Sequence, residues 1–306
     1  MFNILKINSI TGATKELNYK EFLFPAGEVS VKLNANDYAY RELDLPNTIV
    51  ARIQSSDDLL KLAMLKDALQ KIDNHPINLF MPYVPYARQD RVCDKGESFS
   101  LAVLARFIAS LGFAKVAIVD PHSDATPAAF EGLSVNLTVI KQLDVLNKSI
   151  EFIPTLMGST LVSPDAGSNK KTSDAAAWLG HESFVRADKL RDLTNGKIKE
   201  ITVYADDLKG RNVVILDDIC ENGGTFIGLA AELRKRNCGK VILYVTHGVF
   251  GGEARKLDVL ENLFKQGGVD EIWTTDSYHR DLVEFTGLRF PNLHVLDLVS
   301  GFIDKI

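Results

Sequence analysis

The sequence predicts an α/β protein in two halves, each built on a mainly parallel sheet flanked by helices, and three observations predict it. Apolar runs of strand length alternate along the chain with segments of helical period, the pattern of sheets covered by helices. Both halves place a strand ahead of a polar, charged loop and then a helix. Between them lies a weakly patterned stretch, Asn147 to Ser159, carrying Pro154 and Gly158. That stretch puts the domain boundary near residue 150, giving domains 1–150 and 151–306. With 306 residues, 46% of them hydrophobic, two medium domains can each bury a sizeable core.

In chain order, the first strong signal is a helix over Asp57 to Ile72. Leu62, Leu65, Leu69 and Ile72 fall on one face of it, and Ser55 and Ser56 precede it as candidate caps. A buried strand follows at Ile77 to Tyr83, then a helix over Phe99 to Leu111 and a strand over Lys115 to Asp120. In the second half, strands are predicted at Thr160 to Ser163, Asn212 to Asp218 and Lys240 to Thr246, with helices over Gly224 to Arg236 and Glu253 to Phe264. Open α/β sheets bind ligands beyond the carboxyl ends of their strands, so the residues just after each strand are the candidates for chemistry.

Composition narrows the partners. Lys and Arg number 35 against 40 Asp and Glu, a net charge of -5 with no long basic block, which argues against nucleic acid. No run approaches the roughly 20 apolar residues of a membrane span. The start, MFNILKINSITGATKEL, has neither the basic opening nor the continuous apolar segment of a signal peptide, so a cytoplasmic protein is expected. Cys93, Cys220 and Cys238 are odd in number and widely spaced, without a CxxC pair, which fits a reducing compartment and gives no zinc motif.

The most informative segment is VVILDDICENGGTF, residues 213 to 226. An apolar run drives the chain into a central strand, and Asp217 and Asp218 stand at its carboxyl end. Asn222, Gly223, Gly224 and Thr225 follow, and a helical pattern begins. Small residues permit a tight turn, and the N–H groups at a helix start can surround a phosphate. Two carboxylates just before that turn can accept sugar hydroxyls or hold a hydrated cation. Phosphate at one end and a diol at the other describe a ribose phosphate. An isolated glycine pair in this position is more often a plain strand-to-helix turn; the acidic pair before it favours function.

This segment resembles the ribose-phosphate loop of the phosphoribosyltransferase superfamily. FPAGE at 24–28, FMPYVPYARQDR at 80–91, IVDPHSDATPAAF at 118–130 and VSPDAGSNKK at 162–171 resemble, in the same order, motifs of the ribose-phosphate pyrophosphokinase family. The resemblance implies two phosphoribosyltransferase-like domains and Mg²⁺-dependent transfer of the diphosphoryl group of ATP to the C1 hydroxyl of ribose 5-phosphate, releasing AMP. Such a reaction needs positioning and charge neutralisation above all. By the resemblance, Arg88, Gln89 and Arg91 contact ATP. His122 lies near the ATP-bound magnesium, and Asp165 supplies a carboxylate to Mg²⁺. Lys189 and Arg191 are the basic pair of a flexible catalytic loop, continued by the turn-prone Thr194, Asn195 and Gly196. Asp217, Asp218, Glu221, Asn222, Gly223, Gly224 and Thr225 hold ribose 5-phosphate. Phe24 and Glu28 contact adenine from a neighbouring subunit, which implies a homo-oligomer built from dimers, possible as a hexamer.

The chain departs from the family's pattern in four places. Ala26 stands where Asp is usual, which removes a polar adenine contact. Glu221 and Asn222 replace an Asp and a Thr, VCDKGESFS follows RQDR in place of further basic residues of a regulatory site, and the N-terminus is shorter. Two other readings stay open. One is a phosphoribosyltransferase that consumes phosphoribosyl pyrophosphate, which leaves RQDR and His122 unexplained. The other is a catalytically silent paralogue that regulates an active synthase, against which stand Lys189, Arg191, Asp165, Asp217 and Asp218. Cys220, with no activating base in the nearby sequence, reads as a packing residue.

Overall fold

Strands that are covered on both faces are built on near-continuous apolar runs, and the central strands of this protein carry such runs at 213–216 and 241–245. The computed structural model describes residues 2–7, 14–34, 47–191, 198–266, 268–302 and 305. Two units divide the chain, one of Met1–Lys141 with Val299–Ile306 and one of Gln142–Leu298.

In the first unit, β1 (Phe2–Ile7) and β2 (Thr14–Leu17) form an antiparallel pair, and β3 (Tyr19–Leu23) and β4 (Val29–Leu33) form a separate hairpin. Then come β5 (Asn47–Ala51), α1 (Ser56–Ile72), β6 (Ile77–Met81), α2 (Ser100–Leu111), β7 (Lys115–Val119), α3 (Ala125–Phe130) and β8 (Leu137–Ile140). The sheet order among the described residues is β2-β1-β5-β6-β7-β8, with β5 to β8 parallel and β1 antiparallel to β5. A helix crosses over between each successive pair from β5 to β8, as parallel neighbours require. Helix α1 starts as its sequence predicts: the backbone N–H of Ser55 donates to Asp58 Oδ2 at 2.9 Å, a capping interaction in its first turn. Leu62, Leu65 and Leu69 are fully buried, whereas Ile72, in the last turn, is 43% exposed.

The second unit opens with α4 (Gln142–Lys148) and α5 (Ile153–Met157), followed by β9 (Thr160–Ser163), α6 (Asn169–Leu179), β10 (Val185–Arg191) and β11 (Ile198–Val203). It continues with β12 (Val213–Cys220), α7 (Gly224–Lys235), β13 (Val241–Gly248), α8 (Lys256–Lys265), β14 (Glu271–Thr275), a 3₁₀ turn over Arg280–Phe285 and β15 (Leu293–Leu296). Its sheet order is β11-β10-β9-β12-β13-β14-β15, parallel except for the β10–β11 pair.

The division at Lys141 falls ahead of the boundary expected at 150. The stretch that reads as a linker carries α5, and Phe152 before it is fully buried, stacked on Trp273 at 4.5 Å and on Tyr244 at 5.7 Å between ring centroids. A helix this short shows no period in sequence, and its Pro154 and Gly158 sit at its first turn and its end, where such residues are at home.

Candidate active site

Strand β12 lies between β9 and β13, so Val213, Val214, Ile215 and Leu216 are buried on both faces. The polarity changes where the strand reaches the sheet's carboxyl edge. Asp218 is 6% exposed and Asp217 is half-buried. Glu221 and Asn222 are exposed in the loop that follows. Gly223 then turns the chain at φ +75°, a left-handed conformation suited to glycine, and a Cβ there would lie 3.1 Å from Leu263 of α8. Gly224 is exposed and Thr225 half-buried in the first turn of α7, whose earliest N–H groups have no carbonyl partner within the helix. The loop thus has the backbone of an anion site beside a pair of carboxylates.

A connected set of side chains runs beside it. Lys189 Nζ donates to Asp165 Oδ2 at 2.5 Å. The Ser168 backbone N–H donates to Asp165 Oδ1 at 3.1 Å, and the Ser168 hydroxyl donates to Asp217 Oδ1 at 2.7 Å. That same oxygen accepts the Asp218 N–H at 2.9 Å, and Gln142 Nε2 donates to the Asp217 carbonyl at 2.9 Å. Burial works against the charge on Asp165, but the Lys189 ammonium and the N–H groups of Ser168 and Gly167 outweigh it and hold the carboxyl below its ordinary value. Asp217 goes the other way. Burial, the neighbouring Asp218 and the more distant Asp165 push its carboxyl up to about 8, against the pull of the Ser168 hydroxyl. Crowded oxygen donors of this kind suit a hard divalent cation, which would relieve their mutual repulsion.

The chain's sequence marks Lys189 as part of a flexible loop; the structure places it on β10, paired across to Ile201 of β11. Arg191 ends the same strand, and its side chain, with Thr194, Asn195 and Gly196, lies outside the described residues. Ser168 was not among the predicted site residues. It precedes α6 and carries the signature of a helix cap, yet its hydroxyl makes no cap bond and goes to Asp217 instead. Cys220 is fully buried, and burial pushes its thiol well up, as a packing residue requires.

In the first unit, the RQDR segment follows β6 and the DPHSD segment follows the adjacent parallel strand β7, so both leave the same sheet edge. Arg88, Gln89 and Arg91 are exposed, and His122 is exposed in the second segment. The Ser123 hydroxyl joins the segments by donating to Asp90 Oδ2 at 2.8 Å. Tyr86 at φ +61° and Asp120 at φ +39° place left-handed backbone in both turns, a local cost tolerated where loops are shaped for binding. Phe24 and Glu28 flank the tip of the β3–β4 hairpin. The Phe24 N–H donates to the Glu28 carbonyl at 2.8 Å, and Phe24 is 51% exposed.

The comparisons with known proteins follow the same division. Residues 13–112 match the N-terminal domain of ribose phosphate pyrophosphokinase, and residues 160–281 match the phosphoribosyl transferase domain. Over 257 residues the chain is 30% identical to the ribose-phosphate pyrophosphokinase of Vibrio cholerae serotype O1, covering 83% of this chain and 76% of that protein. The chain belongs to the ribose-phosphate pyrophosphokinase family. A family member from Marinomonas sp. is 30% identical over 286 residues, covering 92% of this chain and 85% of its own. The solved phosphoribosylpyrophosphate synthetase of Mycobacterium smegmatis has the same fold, with a TM-score of 0.73 at 23% identity over 94% of this chain and 88% of that one. The family's second domain contains Asp165, Lys189 and the 217–225 loop; its first contains Phe24, Glu28 and the RQDR segment. Among the described residues no helix is long and apolar enough to cross a membrane.

Proposed function

We propose that this enzyme transfers the β,γ-diphosphoryl group of ATP to the C1 hydroxyl of ribose 5-phosphate, giving 5-phosphoribosyl 1-pyrophosphate and AMP. The observation that carries the reading is the bonded series Lys189–Asp165–Ser168–Asp217 beside the glycine turn at 223–224, which puts a cation, a metal-type carboxylate and a diol acceptor next to a phosphate cradle.

The N–H groups at the start of α7, with Thr225 and Asn222, bind the 5-phosphate, and Asp217 and Asp218 accept the ribose hydroxyls. Arg88, Gln89 and Arg91 bind ATP, the guanidinium groups pairing with phosphate oxygens. In the transfer the C1 oxygen bonds to the β-phosphorus, the bond from that phosphorus to the α–β bridging oxygen breaks so that AMP leaves carrying that oxygen, and the C1 hydroxyl releases its proton to water. Lys189, with Arg191, stabilises charge on the transferring group. Asp165 would hold Mg²⁺ in the second unit, which supplies neutralisation of the phosphate charge when bound, and His122 would serve magnesium on the ATP side of the first unit. Lys189 serves as counter-ion to Asp165 within the same unit, and so ties one carboxylate while offering its remaining N–H groups to phosphate.

Phe24 and Glu28 would reach adenine from a neighbouring subunit in a homo-oligomer. The exposure of Phe22 (44%), Leu23 (72%) and Phe24 (51%) on one hairpin supports this reading. Incubation of the purified protein with Mg²⁺, ATP and ribose 5-phosphate tests the function. AMP and 5-phosphoribosyl 1-pyrophosphate must form in equal amounts. Their absence over a range of Mg²⁺ and phosphate concentrations rejects the reading in favour of a silent paralogue.

A further inference from the structure

A second polar cluster lies in the second unit, away from the carboxylates already described. Lys256, at the start of α8, has a side chain only 5% exposed and pairs with Glu253 at 2.8 Å and with Asp281. His279 is buried beside it, its Nδ1 3.4 Å from Glu253 Oε2. The ligand atoms of Glu253, His279 and Asp281 lie within 4.8 Å of one another, but Lys256 already supplies their positive charge, so the cluster serves as an ion-pair network.

What the network holds is a turn. His279 Nε2 lies 2.9 Å from the Val249 carbonyl oxygen; a carbonyl can only accept, so Nε2 carries the hydrogen. Burial lowers the tendency of His279 to take a second proton, against the opposing pull of the Val249 carbonyl and the Asp281 and Glu253 carboxylates. The Val249 carbonyl also accepts the Gly252 N–H at 2.9 Å and closes the turn. Within it, Phe250 is fully buried at φ +47°, a strained conformation for a bulky side chain that its surroundings must maintain. The N–H groups of Val249 and Phe250 both donate to the Cys220 carbonyl, at 3.0 and 2.9 Å. Cys220 is the last residue of β12 and the one directly before Glu221, where the loop at 221–225 begins. On its other side, the loop's Gly223 rests against Leu263 of α8, the helix whose first residue is Lys256.

We propose that His279 is a positioning residue for the ribose 5-phosphate loop, acting through the Val249–Gly252 turn on the Cys220 carbonyl. The proposal rests on the reading of 217–225 as the ribose 5-phosphate site. His279 touches no substrate; it sets where the loop's N–H groups point. Its loss should weaken one substrate selectively, because the ATP residues of the first unit have no part in this chain of bonds.

Two substitutions of similar bulk isolate the hydrogen bond. His279→Gln keeps an N–H able to reach the Val249 carbonyl, and His279→Met fills the space without a donor. The expected result is a rise of about tenfold in both the KM and the calorimetric Kd for ribose 5-phosphate in His279→Met, the scale of one lost structural hydrogen bond. The KM for ATP should stay within about twofold on the same scale, and His279→Gln should restore most of the ribose 5-phosphate affinity. A folded His279→Met protein with wild-type ribose 5-phosphate affinity, or with equal losses for both substrates, overturns the proposal. Should that variant not fold, hydrogen exchange on the wild type decides. Ribose 5-phosphate must then slow exchange at Val249 and Phe250 together with residues 222–225, and slowing confined to 222–225 overturns it. A wild-type protein that neither binds ribose 5-phosphate nor makes product removes the functional reading itself, a failure distinguishable because it involves no variant.

Discussion

Removing the Ser168 hydroxyl should shift the pH at which the protein binds ribose 5-phosphate, and the size of the shift follows from three contacts. The hydroxyl donates to Asp217 Oδ1 at 2.7 Å, a carboxyl that burial and Asp218 hold up at about 8. The Ser168 backbone N–H to Asp165 survives the change to alanine, so the loop around Asp165 keeps its anchor. The Asp218 N–H remains as the other donor to the same oxygen. A hydrogen bond to a charged acceptor is worth about 1.5 kcal/mol at the low end, and about 1.4 kcal/mol corresponds to one pKa unit, so Ser168→Ala should raise the Asp217 value by roughly one unit. The sign is fixed by chemistry. A hydroxyl donor favours the ionised carboxylate, so its loss favours the protonated form.

The assay is calorimetric binding of ribose 5-phosphate across pH 6 to 9, roughly spanning the phosphate and carboxyl titrations, in magnesium-free buffer for wild type and Ser168→Ala. The titration of the ligand's own phosphate is common to both proteins and cancels in the comparison. The acidic limb of the variant's profile should lie higher by about one pH unit, with an affinity gap of about tenfold near pH 7 narrowing to about twofold at pH 9. An unmoved limb, or one displaced to lower pH, refutes the assignment of Ser168 as the group that keeps Asp217 ionisable.

Four other outcomes can be checked. Asp217→Asn should raise the melting temperature in magnesium-free buffer at pH 8 while abolishing ribose 5-phosphate binding. The native Asp217 holds a proton that the unfolded chain releases, so wild-type stability falls as pH rises from the ordinary carboxyl range towards 8, and the variant's should not. Asp73→Asn should cost about 2 kcal/mol in denaturant unfolding at pH 7. Burial opposes the charge on Asp73, but Lys6 at 2.7 Å, the His75 N–H and Asn47 at 3.0 Å depress its value, so this stability is present above the ordinary carboxyl range and lost on acidification below it. Gly223→Ala should cost about 1–2 kcal/mol, because φ +75° penalises a side chain and the new Cβ meets Leu263 at 3.1 Å; the same change should raise the KM for ribose 5-phosphate. Lys189→Ala should fold and lose turnover by at least about a hundredfold; wild-type turnover in a folded variant rejects its role in transfer.

The long amphipathic helices and buried parallel strands were legible because period and burial coincide in them. Helix α1 and strand β9 appear within a residue of where the pattern puts them. The edges were not. Strand β1 carries Asn3 and Lys6 among its apolar residues, β2 reads TKEL and β10 reads VRADKLR, because strands at or next to the margin of a sheet satisfy their backbones in antiparallel pairs without a continuous apolar face. The Gly223 turn was visible because small residues in series restrict what a backbone can do. Ser168 was not, since a serine before a helix has two possible partners, the helix N-terminus and a neighbouring carboxylate, and only folding brings Asp217 within 2.7 Å of it. Lys189 likewise looks like any solvated cation until β10 is paired beside β9 and its amine meets Asp165.

The net charge of -5 therefore conceals a local arrangement that works against stability for the sake of binding. Asp165, Asp217 and Asp218 collect at one sheet edge, where burial and the neighbouring carboxylates disfavour the ionised form of Asp217 and burial alone works against that of Asp165. An apolar or amide replacement would make a quieter edge, as expected for buried charges in general. The sequence instead retains the acids and sets donors against them, among them the Lys189 ammonium on Asp165 and the Ser168 hydroxyl on Asp217. Those donors do not bring Asp217 back to the ordinary carboxyl range. Of the two ligands proposed for this unit, ribose 5-phosphate brings hydroxyl donors and Mg²⁺ brings charge, so each would relieve what the other leaves. On that account the two should bind with positive coupling, and mutating Asp165 should diminish the coupling more than it diminishes ribose 5-phosphate binding alone.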